Sequence, residues 1–574
     1  MTTAPVDFAP RVDSAKEFVG RPTDSEEERI EVGVVIVGGG PAGLACAIRL
    51  SQLLEDQPEL GESLGEVPVA LVEKGKGPGS HLLSGAMMRP SAMRKLFPDL
   101  PEEEWPTYGT VERDRVYLMT KRRAVPLVPT PPPFRNHGNH VTSVAQLGRF
   151  LSEKAEEAGV YILGETAAAK LLVEDGVTVG VRTGDKGRGR SGEELGNFEP
   201  GSDLIGKATV LAEGSQGHLS GAAIRHFDIG SGDPMQWELG VKEVWEVAKP
   251  LDRIIHTLGW PLKLGSRYRE FGGSWLYPMG EDKVSLGFVA GLDYRDARFS
   301  AHDALQLFKQ HPLVREILAD GKRVAWGAKT IPSGGYWAIP EQLSAPGLCI
   351  AGDSAGMVNV PQLKGIHYAM HAGMFAAEAI VDALKKGDAR DLSGYDRRVR
   401  ESEIAADIYR SRNMRQPFSK GFFFGGAVAN AMEMSGGRFP GGHWKTHDDA
   451  TVDVFIGKAR KYPKPDGKLT FDKLSSVFAT GNATRDDAPN HIRLREKVPL
   501  ELALMWQNMC PAQVYEVPED ELEAASEGSG EPDGKRLVKL QVTPSNCVQC
   551  GAITAKGGRL TPPEGGDGPN YQLT

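Results

Sequence analysis

The sequence predicts a mixed fold: an α/β domain of Rossmann-like type assembled from discontinuous segments, joined to α+β material built on an antiparallel sheet. Three observations carry this expectation. A short β-branched strand runs into a glycine-rich turn and a helix near residue 40. Two later apolar strands end in small-residue turns, and an alternating, aromatic and glycine-rich stretch lies between them. The 574 residues are enough for about three to four domains. With 40% hydrophobic and 25% charged residues, a largely disordered chain is excluded. A formal charge of −9 argues against a general nucleic-acid binder. No stretch reaches the ~18 uncharged apolar residues that span a bilayer. Five cysteines exclude a disulfide scaffold and fit a reducing compartment.

Met1 to Arg29 is rich in Asp and Glu and has neither an apolar signal core nor a basic transit pattern. It is expected to be a disordered leader. The first strand is Val34-Val35-Ile36-Val37, apolar throughout as in a strand buried on both faces. It leads into Gly38, Gly40 and Gly43 spaced as G-x-G-x-x-G, then a helix-forming run from Leu44. In that context the first glycine makes the turn, the second lets a pyrophosphate approach the backbone, and the third lets helix pack on strand. A second strand, Val69 to Val72, ends in Glu73, placed to bond an adenosine ribose; the extra length before it is a polar loop, Glu55 to Glu66. Cys46, on the first helix, reads as a small core residue.

Ala208 to Gly214 and Leu348 to Gly356 are the later strand-and-turn pieces. The second ends in Gly352-Asp353, ahead of a helix around His367 to Ala379 whose positive end would face an electron-rich ring. In FAD-dependent oxidoreductases of similar appearance such an aspartate bonds the ribityl chain, so FAD is the expected cofactor; a nicotinamide enzyme is the weaker reading. Between these pieces, Phe271-Gly272-Gly273-Ser274-Trp275-Leu276-Tyr277 and Val284 to Ala290 alternate like antiparallel strands. Gly272 and Gly273 either expose main-chain groups to a flat carbonyl compound or form a structural bulge. Gly421 to Met432, with Phe422, Phe423 and Phe424, is apolar but too short to span. Arg410, Arg412, Arg415 and Lys420 precede it, and Arg438, His443, Trp444 and Lys445 follow. This reads as a monotopic membrane tip in a basic collar, with a buried helix as the alternative.

From about residue 30 onward the chain resembles the electron-transfer flavoprotein–ubiquinone oxidoreductase family. The resemblance is carried by Gly79 to Ala86, Asn136 to Asn139, Phe271 to Tyr277, Gly291 to Tyr294, Asn359-Val360-Pro361-Gln362-Leu363-Lys364-Gly365, Tyr462 to Gly467, Cys510 to Glu516 and Pro563 to Pro569. It implies an FAD-binding domain, an antiparallel-sheet quinone-binding domain and a small ferredoxin-like C-terminal iron–sulfur domain. It also implies a respiratory-chain oxidoreductase that takes electrons singly from reduced electron-transfer flavoprotein and delivers two to ubiquinone, with no nucleophile or triad. The implied segments are an FAD domain of residues 30–130, 205–235 and 325–395; a quinone domain of 131–204 and 236–324; a membrane-surface segment, 396–454; and an iron–sulfur domain, 455–574.

FAD is expected on Gly38, Gly40, Gly43, Glu73, Ser84, Gly85 and Asp353, with the quinone headgroup at Gly272 and Gly273. The family holds a [4Fe-4S] cluster on four cysteines. Here Cys510, Cys547 and Cys550 match, but Ile553 stands at the fourth position. Three thiolates can hold a three-iron cluster, or a four-iron one completed by an oxygen ligand such as Thr554. The other readings are a cluster-less docking domain and a membrane-associated FAD-dependent isoprenoid reductase. The expected location is peripheral, on the cytoplasmic face of a bacterial inner membrane, with no nucleic-acid partner.

Overall fold

Val34–Val37 is buried along its whole length because it enters the middle of a sheet covered on both faces. In the computed structural model, which describes residues 2–526 and 536–574, this six-stranded sheet runs Tyr161–Leu163, Val69–Val72, Val34–Val37, Ala208–Leu211, Leu348–Ile350, Ser344–Ala345. Its first five strands are parallel, with Val34 opposite both Val69 and Ala208. Helices Pro41–Glu55 and Ile366–Lys385 cross closely on it. A Cβ on Gly373 would lie 2.0 Å from the Ala42 carbonyl oxygen, so the crossing tolerates no side chain there.

A seven-stranded sheet forms the second layer, in the order Lys322–Pro332, Trp237–Glu246, Lys283–Gly291, Gly272–Met279, Ile254–Gly259, Asp114–Met119, Ala124–Pro126. Its hydrophobic core continues without a break into the C-terminal module. Leu239, Phe288 and Trp326 belong to the same buried cluster as Trp506, Cys510 and Cys547. The C-terminal module itself is helix Leu500–Met509 with three two-stranded ladders.

Two expectations are corrected. Within Met1 to Arg29 the described residues are not a disordered leader. Val19–Gly20 pairs with Leu171–Leu172 and Arg29–Glu31 with Asp203–Ile205; Thr3 exchanges two backbone hydrogen bonds with Val454. Phe18 is buried. The acids that suggested a solvated tail are engaged: Asp13 caps helix Ser14–Phe18, and Glu17 meets Arg493 and Arg559. The segment boundaries also move. Tyr161–Leu163 joins the parallel sheet, whereas Asp114–Met119, Ala124–Pro126 and all of Lys322–Pro332 belong to the antiparallel one. Pairing between distant segments, such as Asp114–Met119 beside Ile254–Gly259, decides membership.

Glu243 anchors strand Trp237–Glu246, second from the edge of the antiparallel sheet. It is fully buried and accepts from Lys309 Nζ (2.7 Å), Gln306 and the Trp245 indole. Desolvation opposes its ionisation, but Lys309 and Arg323 outweigh this and hold the carboxyl below its usual range. Its contribution is therefore present at neutral pH and lost as pH falls through that lowered value. Glu243→Gln, which leaves Lys309 without a counter-charge, should lower the unfolding free energy by about 3–5 kcal/mol in urea denaturation. The variant should also lose less stability on acidification than the parent.

Candidate functional site

Each glycine of the first turn has its own steric reason. Gly38 sits at φ +107°, and a Cβ there would be 2.3 Å from the Ala212 carbonyl oxygen. A Cβ on Gly43 would be 2.0 Å from the Gly38 oxygen. Gly40, at the start of helix Pro41–Glu55, differs: the nearest atom to its Cβ direction is Leu82 Cδ2 at 3.6 Å. That open side faces a cavity, beside unpaired helix-start N–H groups suited to an anion. Glu73 is buried, with its carboxylate accepting from Gly39 N–H (2.8 Å) and Gly75 N–H (2.7 Å). Each oxygen keeps a lone pair for a sugar hydroxyl.

Gly38, Gly40, Glu73, Ser84, Gly85 and Asp353 line that one cavity; Gly43 supports it from behind. Burial pushes the Asp353 carboxyl up to about 6, partly opposed by Lys329. The Ser84–Gly85 strap is fixed from below, Ser84 oxygen accepting from Lys242 Nζ (2.8 Å) and Gly85 oxygen from Ser285 Oγ (2.7 Å). Open backbone at Gly40, a ribose-height carboxylate and a second buried carboxyl together fit an extended dinucleotide.

At the far end the cavity is walled by Trp275, Tyr277, Val358, Leu363 and Lys364. Tyr277 Oη lies 2.7 Å from His256 Nε2. Burial, helped by Lys364, pushes His256 down to about 3, so its imidazole is neutral. Lys364 donates to Asn136 Oδ1 (2.6 Å) and the Gln362 carbonyl (3.1 Å). Burial brings its ammonium down to about 7. Sequence reasoning gave Lys364, Tyr277 and His256 no role. Two of the three stood in segments that carried the resemblance, but their burial was invisible.

Gly272 and Gly273 are not among the residues lining this cavity. They sit in strand Gly272–Met279, where a Cβ would come within 2.0 Å of the Val289 oxygen and 2.5 Å of the Thr257 oxygen, so strand packing by itself requires glycine. Next to them Phe271 packs on Phe418 (ring centroids 4.6 Å apart), and Phe418 is followed by Phe422 and Phe423. This aromatic chain leads to helix Phe422–Met434, where Phe423 is 72% and Met434 89% exposed; Phe439 beyond it is 64% exposed. Among the described residues no helix is long and apolar enough to cross a membrane. Lys420, Arg438, His443 and Lys445 are exposed around the tip. The collar expected of Arg412 and Arg415 is corrected. Both are buried, Arg412 on the Gly437 carbonyl and Arg415 on Asp293 (2.7 Å), because each finds an internal acceptor.

Cys510 ends helix Leu500–Met509, and Cys547 and Cys550 lie on one loop. The Val514 and Gln549 N–H groups point at the Cys510 and Cys547 sulfurs, at 3.5 and 3.4 Å. Burial pushes all three thiols up, that of Cys550 to about 12, and they repel one another as anions. They would therefore ionise only on binding metal. Among the described residues no three His, Cys, Asp or Glu side chains converge on a single ion, whereas a cubane takes its thiolates on separate irons. Ile553 is buried, its side chain lying where a Cβ on Gly558 would reach. The Thr554 hydroxyl accepts from Leu560 N–H at 3.4 Å. Cys46 and Cys349 are buried in the parallel-sheet core. The residues present thus supply three of a cubane's four thiolates. The loop is tied to the cavity wall: Cys550 oxygen accepts from both the N–H and Oγ1 of Thr330, each at 2.8 Å.

This architecture defines an FAD-dependent oxidoreductase with an appended cysteine module. The fold agrees with the solved structure of a geranylgeranyl bacteriochlorophyll reductase-like protein from Thermoplasma acidophilum (TM-score 0.53, 18% identity, covering 68% of this chain and 88% of that one). Residues 237–331 match the family model described as ETF-QO, ubiquinone-binding, and residues 467–572 that described as electron transfer flavoprotein-ubiquinone oxidoreductase, 4Fe-4S. The electron transfer flavoprotein-ubiquinone oxidoreductase of Pseudomonas aeruginosa is 36% identical over 574 residues (95% of this chain, 99% of that protein). The probable one of Acinetobacter baylyi is 36% identical over 592 (95% and 99%), and the mitochondrial one of Oryza sativa 37% over 567 (95% and 93%). The chain belongs to the electron transfer flavoprotein-ubiquinone oxidoreductase family.

Gly40→Val places its branch in open space, so the variant should fold. The branch occupies the approach of the pyrophosphate, so the purified protein should lack the flavin absorbance near 450 nm, on the order of complete loss.

Proposed function

We propose that this protein oxidises reduced electron-transfer flavoprotein and reduces membrane ubiquinone, with FAD and an iron–sulfur cluster as its redox centres. The observation that carries this reading is the Thr330–Cys550 junction, which joins the cysteine loop to the wall of the FAD cavity. When bound, flavin exchanges electrons singly or in pairs and the cluster exchanges them one at a time. The chain's own part is to bind, orient and supply protons. Gly38, Gly40 and Gly43 hold the pyrophosphate at the helix start, and Glu73 and Asp353 orient the sugar and ribityl hydroxyls. Lys242 and Ser285 keep the Ser84–Gly85 strap in place along the cavity wall. Cys510, Cys547 and Cys550 hold the cluster, and Gly272 and Gly273 offer backbone groups to the quinone headgroup. Lys364 Nζ, with its proton affinity brought near neutrality by burial, holds a proton at the far end of the FAD cavity.

The exposed tip of helix Phe422–Met434 seats the protein on one leaflet, with a quinone route along Phe423, Phe422, Phe418 and Phe271. We place it peripherally on the cytoplasmic face of a bacterial inner membrane. The isoprenoid-reductase reading rests on fold alone. The docking-only reading leaves two buried thiols and one half-buried thiol with no use. The direct test is anaerobic: reduced electron-transfer flavoprotein should bleach the enzyme's flavin, and ubiquinone should restore its colour. Flavin that stays oxidised refutes the reading.

Two further outcomes follow. Replacing Phe423, Phe424, Met434 and Phe439 with Ser removes about 1.5–3 kcal/mol of burial per side chain. The variant should remain in the supernatant when liposomes containing anionic lipid are pelleted, with its flavin content unchanged. Cys550→Ser should cut the iron and acid-labile sulfide of anaerobically purified protein by more than half, read by colorimetric assay, without lowering FAD.

A further inference from the structure

Phe478, 89% exposed, and Leu474, 47% exposed, project one turn apart from helix Lys473–Phe478, far from the membrane tip. The inner side of this short helix holds the cysteine module from both flanks. Lys473 Nζ donates to the carbonyls of Gln507 (3.0 Å) and Asn508 (3.3 Å), just before Cys510. Past the helix, Asn482 Nδ2 donates to the Ser545 carbonyl (2.7 Å), two residues before Cys547. The segment therefore straps across both cysteine-bearing stretches and turns an apolar pair outward above them.

The adjoining segment carries a net positive charge, four exposed lysines against two exposed aspartates. Lys458, Lys461, Lys464 and Lys468 are exposed in the preceding segment. The two acids among them, Asp466 and Asp472, are held ionised by backbone: Asp466 accepts from the N–H groups of Lys468, Leu469 and Thr470, and Asp472 caps the helix through Ser475 N–H. An apolar spot in a basic rim, on a chain of net charge −9, fits an acidic protein surface, with burial supplying affinity and charge supplying steering.

Position sets this patch apart from the membrane tip. Strand Trp237–Glu246 runs between the two apolar features. At one end Glu238 meets Arg415, which also stacks on Phe271 at the root of the membrane tip. At the other, Trp245 packs on Phe471, and its strand partner Arg323 donates to Ser476 Oγ on the short helix. The seven-residue separation is about 24 Å of strand, so the two apolar features are separate surfaces, and the one over the cysteine module is the one suited to an electron donor.

We infer that helix Lys473–Phe478 is the docking pad for the electron-donating flavoprotein, seating it over the cysteine module. This rests on the function proposed above and adds the surface at which electrons enter. The test uses the full-length holoenzyme with FAD and cluster, immobilised, and its electron-transfer flavoprotein as analyte in surface plasmon resonance. Three proteins are compared: the parent, Leu474→Ser with Phe478→Ser, and Lys464→Glu with Lys468→Glu. The serine variant should bind at least about tenfold more weakly. The glutamate variant should lose association rate and most of its salt dependence. Flavin content, iron content and liposome pelleting should match the parent in both. Parent-like affinity in both variants overturns the docking pad while leaving the function standing. Lost liposome binding with retained affinity overturns it in favour of a second membrane contact. A parent that neither binds nor is reduced by the flavoprotein overturns the function and the pad together.

Discussion

The edge of the antiparallel sheet is the constraint on which both redox sites depend. Strand Lys322–Pro332 is the last of its sheet, paired on one side with Trp237–Glu246. Its outward N–H and C=O groups must be satisfied by something else or stay open to stray pairing. The C-terminal chain does this. Tyr571 Oη bonds both the N–H and C=O of Ala328, Thr330 N–H bonds the Cys550 oxygen, and Lys329 Nζ reaches the Gln549 oxygen. On its other face the strand ends as cavity wall, with Ser215 Oγ 2.8 Å from the Thr330 oxygen. Covering an edge strand therefore brings the cysteine loop within two residues of the flavin cavity. The shared hydrophobic core fixes that approach.

Burial of cations follows from this arrangement. Lys74, Lys329 and Lys364 line the cavity, and Lys242 sits beneath the strap. In each, desolvation drags the ammonium down, to about 8 in Lys329 and about 7 in Lys242. A buried charge without full compensation costs several kcal/mol. Lys74 and Lys329 recover part of this from Glu73 and from the cysteine sulfurs. They favour ionised thiols on one side and an anionic diphosphate on the other. The buried cations thus favour the binding of both cofactors.

Legibility in the sequence tracked the range of the interaction. The strand–turn–helix at Val34 could be read because its determinants lie within ten residues, and each glycine met the neighbour its position implied. Glu73 was found although a longer connection precedes it. The antiparallel sheet's outer strands were misplaced because Asp114–Met119 finds its partner some 140 residues on, beyond any local pattern. Arg412 and Arg415 were read as a collar because composition cannot reveal an acid such as Asp293 across the fold. Met434 and Phe439 stood outside the apolar run, and only their exposure adds them to the tip. The ordered N-terminal segment hid for the same reason: acids that cap and pair look, in sequence, like acids that repel.

Ile553 shows what the family pattern can lose without losing the fold. Its side chain packs with Gly558 inside the core that also holds Trp506. The backbone there is held by hydrogen bonds that need no metal, Lys556 and Gly558 N–H both reaching the Ile553 carbonyl. The loop can therefore persist with an apolar residue where its relatives' pattern has a thiolate. The electrostatic consequence is larger than the structural one. Three thiolates carry one negative charge fewer than four, while Lys74, Lys329 and Lys473 still face them. A cluster held here sits in a more positive setting, which favours its reduced state.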